Sequence, residues 1–404
     1  MTIFLLVLTA VYFYIVWLLV SYQRFRKERD QIAIRIHVNG IRGKSTVTRY
    51  VAAILREAGY HTFGKTTGSA ARILRPDGED YNFHRPGYPN VNEQVKIVRE
   101  FARQKAEAIV MECMAINPVY AQWLEDKVMH SQVAIMTNVR YDHPDQLGNT
   151  LEDIAESLSR SIPESSILIT AETNPALVQI LCRNAHKRNT RVIIADEKRV
   201  NPQDRAGFNH FSHQSNIAIG YEIAHLFNIS EARALKAMQS ALADPGAFEI
   251  EHFEFEGRSI AWANLFAIND RESFISVCLE LFKQCASYTD ITLLNNRHDR
   301  PERVELFAGL VKQLEFDRVV TLGTYESEVQ AIFRDEPEKL VQLGFSTQYK
   351  HASGEELLHQ IISTTNADKI LIIGAVNMHT VQAEHLLDLF AKLKQARANT
   401  QPVK

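Results

Sequence analysis

The sequence predicts an α/β protein in which a doubly wound, mostly parallel sheet is followed by a smaller Rossmann-like α/β domain and preceded by one transmembrane helix. Three observations support this fold class. Short apolar runs alternate with segments of helical periodicity from residue 31 onward, a glycine-containing loop connects the first run to a helix, and a long apolar stretch opens the chain. Apolar strands that alternate with helices are typical of a parallel sheet covered on both faces.

The opening stretch predicts a single-pass membrane anchor over residues 1–24. Residues 3–20 are apolar except for Thr9, a length just sufficient to cross a hydrocarbon core of about 30 Å. Trp17 and Tyr22 lie where aromatic rings favour the interface, and a basic cluster follows at Arg24, Arg26, Lys27 and Arg29. Positive charge marks the cytoplasmic side of a span, so we expect the rest of the chain to lie in the cytoplasm, at the cell membrane.

The rest of the chain divides into two predicted α/β domains. The first, over 25–245, contains strand-like runs at 32–38, 60–63, 108–113, 132–138, 166–171 and 191–195, with paired helices at 213–245. The second, over 246–404, contains strand-like runs at 259–263, 289–294, 318–322 and 369–373, and helical segments at 273–285, 301–313 and 381–396. The boundary is placed at Asp244-Pro245-Gly246, because proline and glycine interrupt regular structure.

Composition and charge narrow the class of function. The 404 residues carry a net charge of −3, so nucleic acid is not an expected partner. Four cysteines lack metal-ligand spacing and lie in apolar segments, at Cys113, Cys182, Cys278 and Cys285. We interpret them as buried free thiols in a reducing compartment, which agrees with a cytoplasmic location.

The strongest local motif is a phosphate-binding loop. The segment N-G-I-R-G-K-S-T at 39–46 follows a predicted strand and leads into a helical segment at 46–58. Glycines let backbone N–H groups face a phosphate, the helix N-terminus adds its dipole, and Lys44 supplies positive charge. Ser45 stands where such loops hold Mg²⁺, although the strict pattern requires glycine in place of Val38. A lysine-bearing structural turn is the alternative interpretation.

Polar residues at the ends of other strands favour a ligand site at the same sheet edge, because ligands of parallel sheets gather at the carboxyl ends of the strands. A hydroxyl-rich loop occupies 64–69, Glu112 ends the third run, and T-N-V-R-Y-D-H at 137–143 follows the fourth. A buried carboxylate needs a partner, and for Glu112 a magnesium ion and neighbouring backbone N–H groups are the two candidates. His143 would be structural if alone, but it lies within this polar cluster.

Together the motifs resemble the ATP-binding subunit of poly-γ-glutamate synthases, a branch of the Mur ligase superfamily. The resemblance extends over roughly residues 1–380 and includes G-I-R-G-K-S-T at 40–46, K-T-T-G at 65–68, M-E-C-M at 111–114, T-N-V-R-Y-D-H at 137–143, N-L-F-A-I-N-D at 264–270 and N-N-R-H-D-R at 295–300. It implies a central ATP-binding domain of the Mur ligase type and a carboxy-terminal domain that closes over ATP.

The resemblance also implies roles for matching positions. ATP contacts are implied for Asn39, Gly40, Ile41, Arg42, Gly43, Lys44, Ser45, Thr46, Asn138, Asn216, Asn264 and Asn269. Mg²⁺ ligands are implied at Ser45, Glu112 and His143, and catalytic roles at Lys44, His143 and Arg300. Substrate contacts are implied for Thr66, Thr67, Asp299 and Arg300.

Two segments depart from the family pattern. Gly246-Ala247 stands where Mur ligases have Gly-Arg, which leaves the source of the arginine contact to phosphate open. The segment G-A-V-N at 374–377 stands where the polyglutamate branch has G-x-G-N. A carbamylated lysine, which some Mur ligases use, has two candidates here, Lys187 and Lys198, and the sequence assigns neither.

The implied activity is ADP-forming amide ligation with ATP and Mg²⁺. Glutamate or a polyglutamate chain would be the substrate, and integral-membrane subunits of a synthase or export complex the partners, with a homo-oligomer also compatible. Three alternatives stay open: a Mur or folylpolyglutamate-type ligase acting on another acceptor, a membrane-tethered NTPase or kinase that forms no amide, and a non-catalytic scaffold. ADP release that depends on an amino acid separates the ligases from the NTPase.

Overall fold

The computed structural model describes residues 2–67, 71–84, 90–208, 212–243, 250–266, 268 and 271–400. The chain forms two compact units, Met1–Ala247 and Phe248–Lys404. The segment Asp244-Pro245-Gly246, its neighbour Ala247 and the predicted ATP-binding residue Asn269 lie outside the described residues.

The first unit contains an eight-stranded sheet between layers of helices. Its strands are β1 Ile34–Asn39, β2 Thr62–Thr66, β3 Arg72–Leu74, β4 Asp80–Asn82, β5 Ala108–Glu112, β6 Val133–Met136, β7 Ile167–Thr170 and β8 Arg191–Ile194. Its helices are α1 Thr2–Asp30, α2 Lys44–Glu57, α3 Asn92–Arg103, α4 Pro118–Trp123, α5 Pro144–Leu147, α6 Leu151–Ser159, α7 Pro175–Lys187, α8 Pro202–Ala206, α9 Gln214–Leu226 and α10 Glu231–Ser240, with a π-helix at Leu124–Met129 and a 3₁₀ turn at Glu197–Arg199. The strand order is β4-β3-β2-β5-β1-β6-β7-β8, parallel except where β3 meets β2 and β4.

Apolar side chains cover both faces of this sheet. On one face, α2, α9 and α10 bury residues such as Ile54 and Ile219 against β1 and β5. On the other face, α3 and the end of α1 contribute Phe101 and Phe25, while α6 and α7 form a further apolar cluster. The predicted doubly wound sheet is therefore confirmed.

The segment around β2 differs from the sequence prediction. We predicted a strand at 60–63 and a hydroxyl-rich loop after it, but β2 runs through Lys65 and Thr66. The side chain of Lys65 is fully buried and pairs with Glu93 of α3 at 2.8 Å, which compensates for its charge. Two short antiparallel strands, β3 and β4, extend the sheet beyond β2 and were not predicted.

The second unit is built on a six-stranded sheet of order β13-β12-β11-β14-β10-β9. Its strands are β9 Ile250–Phe255, β10 Arg258–Leu265, β11 Thr289–Asn296, β12 Arg318–Gly323, β13 Leu340–Gln342 and β14 Lys369–Ala375. Its helices are α11 Arg271–Gln284, α12 Glu302–Gln313, α13 Glu326–Ile332, α14 Gly354–Ser363 and α15 Val381–Thr400, with 3₁₀ turns at Pro337–Lys339 and Gln348–His351. All strand pairs are parallel except β9 with β10, a hairpin that the sequence reading missed.

Helix α1 has two parts: an apolar half with exposed side chains, followed by a half that packs on the first unit. It is the one helix among the described residues that is long and apolar enough to cross a membrane, and its side chains from Ile3 to Val20 are exposed. Beyond these, Phe25 is buried in the first unit, and Glu28 pairs with Arg99 of α3 at 2.9 Å. The apolar half is therefore joined to the unit by a packed helix rather than by a loop.

Candidate active site

The loop between β1 and α2 is shaped by two glycines. Gly40 has φ +120°, and a Cβ built there would lie 2.2 Å from the hydroxyl of Thr137. Gly43 has φ +79°, and a Cβ there would lie 2.7 Å from the side-chain oxygen of Asn216. Both positions require glycine, because the backbone is left-handed and a neighbouring residue occupies the space of a side chain. Asn216, predicted to face adenine, thus lies on α9 against the loop.

The N-terminus of α2 offers donors for an anion. Gly43 precedes the helix and provides no side-chain cap, so the first N–H groups have no partner from the helix or from the cap. Lys44 is the first helical residue, and its Nζ donates to the carbonyls of Gly40 at 2.8 Å and Ile41 at 3.2 Å. The ammonium group therefore lies across the loop beside the positive end of the helix dipole, an arrangement that suits phosphate.

Asn138 holds the loop from the neighbouring strand end. Its amide oxygen accepts from Arg42 N at 3.0 Å, its Nδ2 donates to Arg42 O at 3.1 Å, and its own carbonyl accepts from Ile41 N at 3.3 Å. Because these hydrogen bonds are made to backbone atoms, they position the loop independently of the side chain at position 42. We predicted Asn138 as an ATP contact, and the structure shows it supporting the loop that carries the other predicted contacts.

Ser45 and Glu112 meet at the carboxyl ends of β1 and β5. The Ser45 hydroxyl donates to Glu112 Oε2 at 2.8 Å, and the backbone N–H of Thr67 donates to the same oxygen at 2.7 Å. Glu112 is only 3% exposed. Of the two partners that the sequence left open for Glu112, the structure shows the backbone N–H, and the magnesium ion stays a prediction. A hydroxyl and a carboxylate in contact are hard oxygen donors that fit Mg²⁺, which keeps several waters and needs few protein ligands.

His143 lies on the same cavity as the loop. The cavity has a volume of about 410 Å³, and Lys44, Glu112 and His143 are among its lining residues. His143 has φ +47°, precedes α5, and its Nε2 lies 3.7 Å from Asp142 Oδ1. Within the described residues no three acidic, histidine or cysteine side chains are grouped so that they could hold a metal ion.

The predicted substrate residues Thr66 and Thr67 have different positions. Thr66 is fully buried in β2, and its hydroxyl has no hydrogen-bond partner among the described residues. Thr67 lines the cavity and donates its backbone N–H to Glu112. A direct substrate contact is thus compatible with Thr67, whereas the predicted position of Thr66 in an open loop was wrong, because β2 extends further than its polar sequence indicated.

The sequence reading missed the carboxylate that organises the segment 137–143. Glu172 follows β7, is 1% exposed, and accepts from Val139 N at 2.8 Å and Arg140 Nη1 at 3.0 Å. It also accepts from the backbone N–H groups of Thr173 and Asn174. Glu172 therefore fixes the strand-end segment that leads to His143. Its position directly after a strand-length apolar run was the available signal.

A buried ion pair lies beneath the loop strand. His37 Nδ1 and Glu125 Oε2 are 2.8 Å apart, and both side chains are 1% exposed. Burial by itself would lower the pKa of His37, but its interactions with the neighbouring Cys113 and with the Glu125 carboxylate outweigh burial and raise the pKa to about 10. Burial would likewise raise the pKa of Glu125, and the bond to His37 instead lowers it. The charged pair bridges β1 and the π-helix.

The remaining predicted residues lie in the second unit. Asn264 is the penultimate residue of β10, and its side-chain oxygen accepts a hydrogen bond from Phe266 N at 3.3 Å. Asp299 forms its close bidentate pair with Arg297, at 2.9 and 2.8 Å, and lies 4.0 Å from Arg300. The side chain of Arg300 is half exposed, and the substrate contacts predicted for Asp299 and Arg300 stay predictions.

The departing segment 374–377 contains a left-handed residue at Val376. Val376 has φ +82°, a left-handed conformation that glycine adopts freely and a β-branched residue rarely does. The next residue, Asn377, donates from Nδ2 to Asn295 O at 3.0 Å, which ties β14 to the end of β11. Valine thus occupies a backbone conformation that favours glycine.

Fold and site together define a class. A phosphate-binding loop at the carboxyl edge of a doubly wound sheet, a strand-end carboxylate bonded to the loop serine, and a second Rossmann-like unit define a nucleotide-dependent ligase of the Mur type. Residues 38–243 match the family model of the Mur ligase middle domain, and residues 250–393 match the poly-gamma-glutamate synthase CapB C-terminal domain.

Relatives narrow the class to one family. The chain is 35% identical to PGA synthase CapB of Bacillus subtilis (strain 168) over 315 residues, which cover 76% of this chain and 79% of that protein. It is 33% identical to the capsule biosynthesis protein CapB of Bacillus anthracis over 312 residues, which cover 76% of this chain and 67% of that protein. The chain belongs to the CapB family of poly-gamma-glutamate synthases, within the Mur ligase superfamily, and is an ATP-dependent amide ligase.

Solved structures agree on the fold. Folylpolyglutamate synthase of Mycobacterium tuberculosis, solved with ADP and AMPPCP, has a TM-score of 0.61 at 14% identity and covers 91% of this chain and 95% of its own. FolC of E. coli, solved with ADP, has a TM-score of 0.60 at 13% identity, and the match covers 94% of this chain and 93% of FolC. The sequence-based prediction of a Mur ligase fold is confirmed.

Proposed function

We propose that this chain lengthens poly-γ-glutamate at the membrane by joining glutamate to a chain end, with ATP bound at the β1–α2 loop. The observation that carries this proposal is the group formed by Lys44, Ser45 and Glu112 on one cavity. It supplies a cation, a helix N-terminus and a hard-oxygen pair, which are the parts that phosphoryl transfer requires. Family membership supplies the substrate class, since the matched relatives are named as PGA and capsule synthesis proteins.

The first chemical step activates a carboxylate. A carboxylate oxygen of the acceptor forms a bond to the γ-phosphorus of ATP, the bond from that phosphorus to the β–γ bridging oxygen breaks, and ADP leaves. Lys44 and the N–H groups at the start of α2 stabilise the negative charge on the phosphates. Asn138 keeps the loop in place through Arg42, so these donors are oriented before the substrate arrives.

The second step forms the amide. The amine nitrogen of the incoming amino acid bonds to the acyl carbon, the bond from that carbon to the phosphate oxygen breaks, and the amine loses a proton. Ser45 and Glu112 would hold Mg²⁺, with His143 the candidate for a second ion. When bound, Mg²⁺ neutralises phosphate charge. The roles of Asn264, Asn269, Asp299 and Arg300 rest on the family resemblance and stay predictions.

We further propose that α1 anchors the chain as a single span with both units in the cytoplasm. The exposed apolar half and the basic residues after it support this topology. Four free cysteines, three of them buried, suit a reducing compartment. An anchored ligase would pass an extending polymer to membrane-embedded partner subunits. Protease access to a carboxy-terminal tag, in intact spheroplasts and in inverted vesicles, tests the orientation.

ADP release from membranes containing the full chain tests the ligase against the NTPase alternative. We expect release that depends on glutamate and is lost in Lys44→Ala, with Lys236→Ala as the control because Lys236 is an exposed lysine of the same unit. ADP release that does not depend on any added amino acid, but is lost in Lys44→Ala, would favour the membrane-tethered NTPase.

A further inference from the structure

A second cavity lies where α1 meets the first unit. Its volume is about 350 Å³, and its lining includes Tyr22, Arg26 and Arg29 of α1 together with Lys127, Glu164 and Arg188. The site is separate from the ATP cavity, since the two share no lining residue. Most of its lining is charged or polar, which excludes an apolar occupant.

The depth of this cavity relative to a membrane follows from helix geometry. The apolar half of α1 ends at Val20, and Arg26 follows it by six positions, or about 9 Å of helix. The polar headgroup layer outside the hydrocarbon core is about 5–8 Å thick on each side. The end of α1 is packed on the first unit through Phe25, so the cavity is held at this depth. Its α1 side therefore runs from Tyr22, about 3 Å beyond Val20 and within the headgroup layer, to Arg26 at the outer edge of that layer.

The charges of the lining favour an anion. Arg29 pairs with Asp30, which lies outside the lining, and the lining carboxylates Asp126 and Glu125 pair with Arg188 and His37. Arg26 and Lys127 are exposed and form no ion pair with any residue that the structure describes, and Glu164 likewise has no cationic partner there.

The unpaired charges of the lining suit a phosphate ester. Among the described residues, Arg26 and Lys127 are two cations without an ion-pair partner, against one unpaired carboxylate, Glu164. Guanidinium and ammonium groups both bind phosphate.

We propose that this juxtamembrane cavity binds the headgroup of an anionic phospholipid, with Arg26 and Lys127 as the main contacts to its phosphate. The proposal rests on the anchor proposed above. A soluble phosphate ester shares the binding chemistry, but the depth of the cavity favours a lipid. A bound lipid would fix the orientation of the first unit relative to the bilayer, because the cavity is formed by both α1 and the π-helix region.

Native mass spectrometry of the full chain tests the proposal. The chain is extracted from mixed phosphatidylglycerol and phosphatidylcholine vesicles whose acyl chains are identical, and the retained lipids are counted. We expect the wild-type chain to retain phosphatidylglycerol with about tenfold preference or more. The double variant Arg26→Gln/Lys127→Gln should lose this preference. The matched control Arg24→Gln/Lys27→Gln removes the same charge from exposed α1 positions outside the lining and should keep it.

A third variant separates binding from damage to the fold. Glu164→Gln removes the unpaired carboxylate, so it should raise phosphatidylglycerol retention, a gain that misfolding would not produce. If both double variants lose the phosphatidylglycerol preference equally, the lipid is attracted by basic residues in general, which would overturn the cavity assignment. If all variants retain phosphatidylglycerol equally, the cavity does not bind it, which would also overturn the assignment.

Two further results distinguish the alternatives. Saturation of the cavity by inorganic phosphate in lipid-free detergent, lost in Arg26→Gln/Lys127→Gln, would assign it to a soluble ligand and overturn the lipid assignment. Recovery of the wild-type chain in the soluble fraction would refute the anchor. A membrane-bound chain without lipid preference would refute the cavity proposal alone and leave the ligase activity unaffected.

Discussion

Ser45 donates a hydrogen bond of 2.8 Å to Glu112, and this contact joins the phosphate-binding loop to the end of the neighbouring strand β5. The two residues are 67 positions apart in sequence and meet because β1 and β5 pair in parallel, with Val38 opposite Glu112. The contact places a carboxylate beside the hydroxyl that phosphate-binding loops use for Mg²⁺.

Glu112→Gln should lower glutamate-dependent ADP release by about 100-fold or more, the scale of losing one preorganised electrostatic group. The amide keeps an oxygen to accept from Ser45 and Thr67, so the melting temperature should change little. A Mg²⁺ titration of ADP release measures the effect, and a raised Mg²⁺ requirement is expected. Glu152→Gln, at an exposed site on α6, is the control. Unchanged Mg²⁺ dependence in Glu112→Gln would remove Glu112 from the metal site.

Gly40→Ala should abolish nucleotide binding and destabilise the first unit. The added methyl would lie 2.2 Å from the Thr137 hydroxyl and 2.9 Å from its backbone nitrogen, so the loop must shift. Gly78→Ala is the matched control, because Gly78 also has positive φ but nothing lies within 4 Å of its Cβ position. It should cost only the conformational penalty of about 1–2 kcal/mol and leave ATP affinity unchanged. Equal ATP affinity in the two variants would contradict the assigned loop role.

Val376→Gly should be more stable than Val376→Ala, by about 1 kcal/mol. Both variants lose the buried valine side chain, so their difference isolates the left-handed backbone at φ +82°. Ala375, one residue earlier in β14, has no positive φ, and Ala375→Gly should instead be destabilised by about 0.5–1 kcal/mol. Thermal unfolding of the full chain in detergent compares the three. If glycine proves worse than alanine at 376, the backbone there is not left-handed.

The His37–Glu125 pair predicts a dependence of stability on pH. The folded pKa of His37 is raised from 6.5 to about 10, so its contribution is complete below pH 6.5 and is lost as pH rises toward 10. The lowered pKa of Glu125 acts on the other side, and its contribution is lost as pH falls below its ordinary value of 4.5. The melting temperature should therefore fall above pH 6.5 in the wild-type chain.

His37→Gln should remove this decline and leave Glu125 buried without a counter-charge, at a cost of about 3–5 kcal/mol. His61→Gln, at an exposed histidine of the same unit, should keep the wild-type pH profile. Melting temperatures measured at several pH values from 5 to 9 compare the three chains. If the melting temperature of His37→Gln falls above pH 6.5 as it does in the wild-type chain, groups other than His37 cause the decline.

The phosphate-binding loop could be predicted from sequence because its parts are local: a strand, two glycines and a lysine directly before a helix. The doubly wound sheet was predictable for the same reason, since each buried strand is a short apolar run. Strands β3 and β4 were missed because three polar or mixed residues give no periodic signal, as in Asp80–Asn82. Lys65 was assigned to a loop because nothing near it in sequence indicates Glu93, its buried partner.

Contacts between distant residues account for the rest of the site. Glu125 lies 88 positions from His37, and Glu172 lies 33 positions from Val139, so neither pairing leaves a trace in any short window of sequence. Asn138 was found by its motif, but its support of the Arg42 backbone required coordinates. The left-handed Val376 was likewise invisible, because valine predicts a strand.

Activation of a carboxylate by phosphoryl transfer can be followed with a heavy-oxygen label. Polyglutamate whose terminal carboxylate carries the heavy isotope is incubated with ATP, glutamate and membranes containing the full chain, and inorganic phosphate is analysed by mass spectrometry. We expect one heavy oxygen in phosphate for each amide formed, because the bridging oxygen of the acyl phosphate comes from the carboxylate and leaves with the phosphate. Unlabelled phosphate, released while amide bonds form or ATP is consumed, would contradict it.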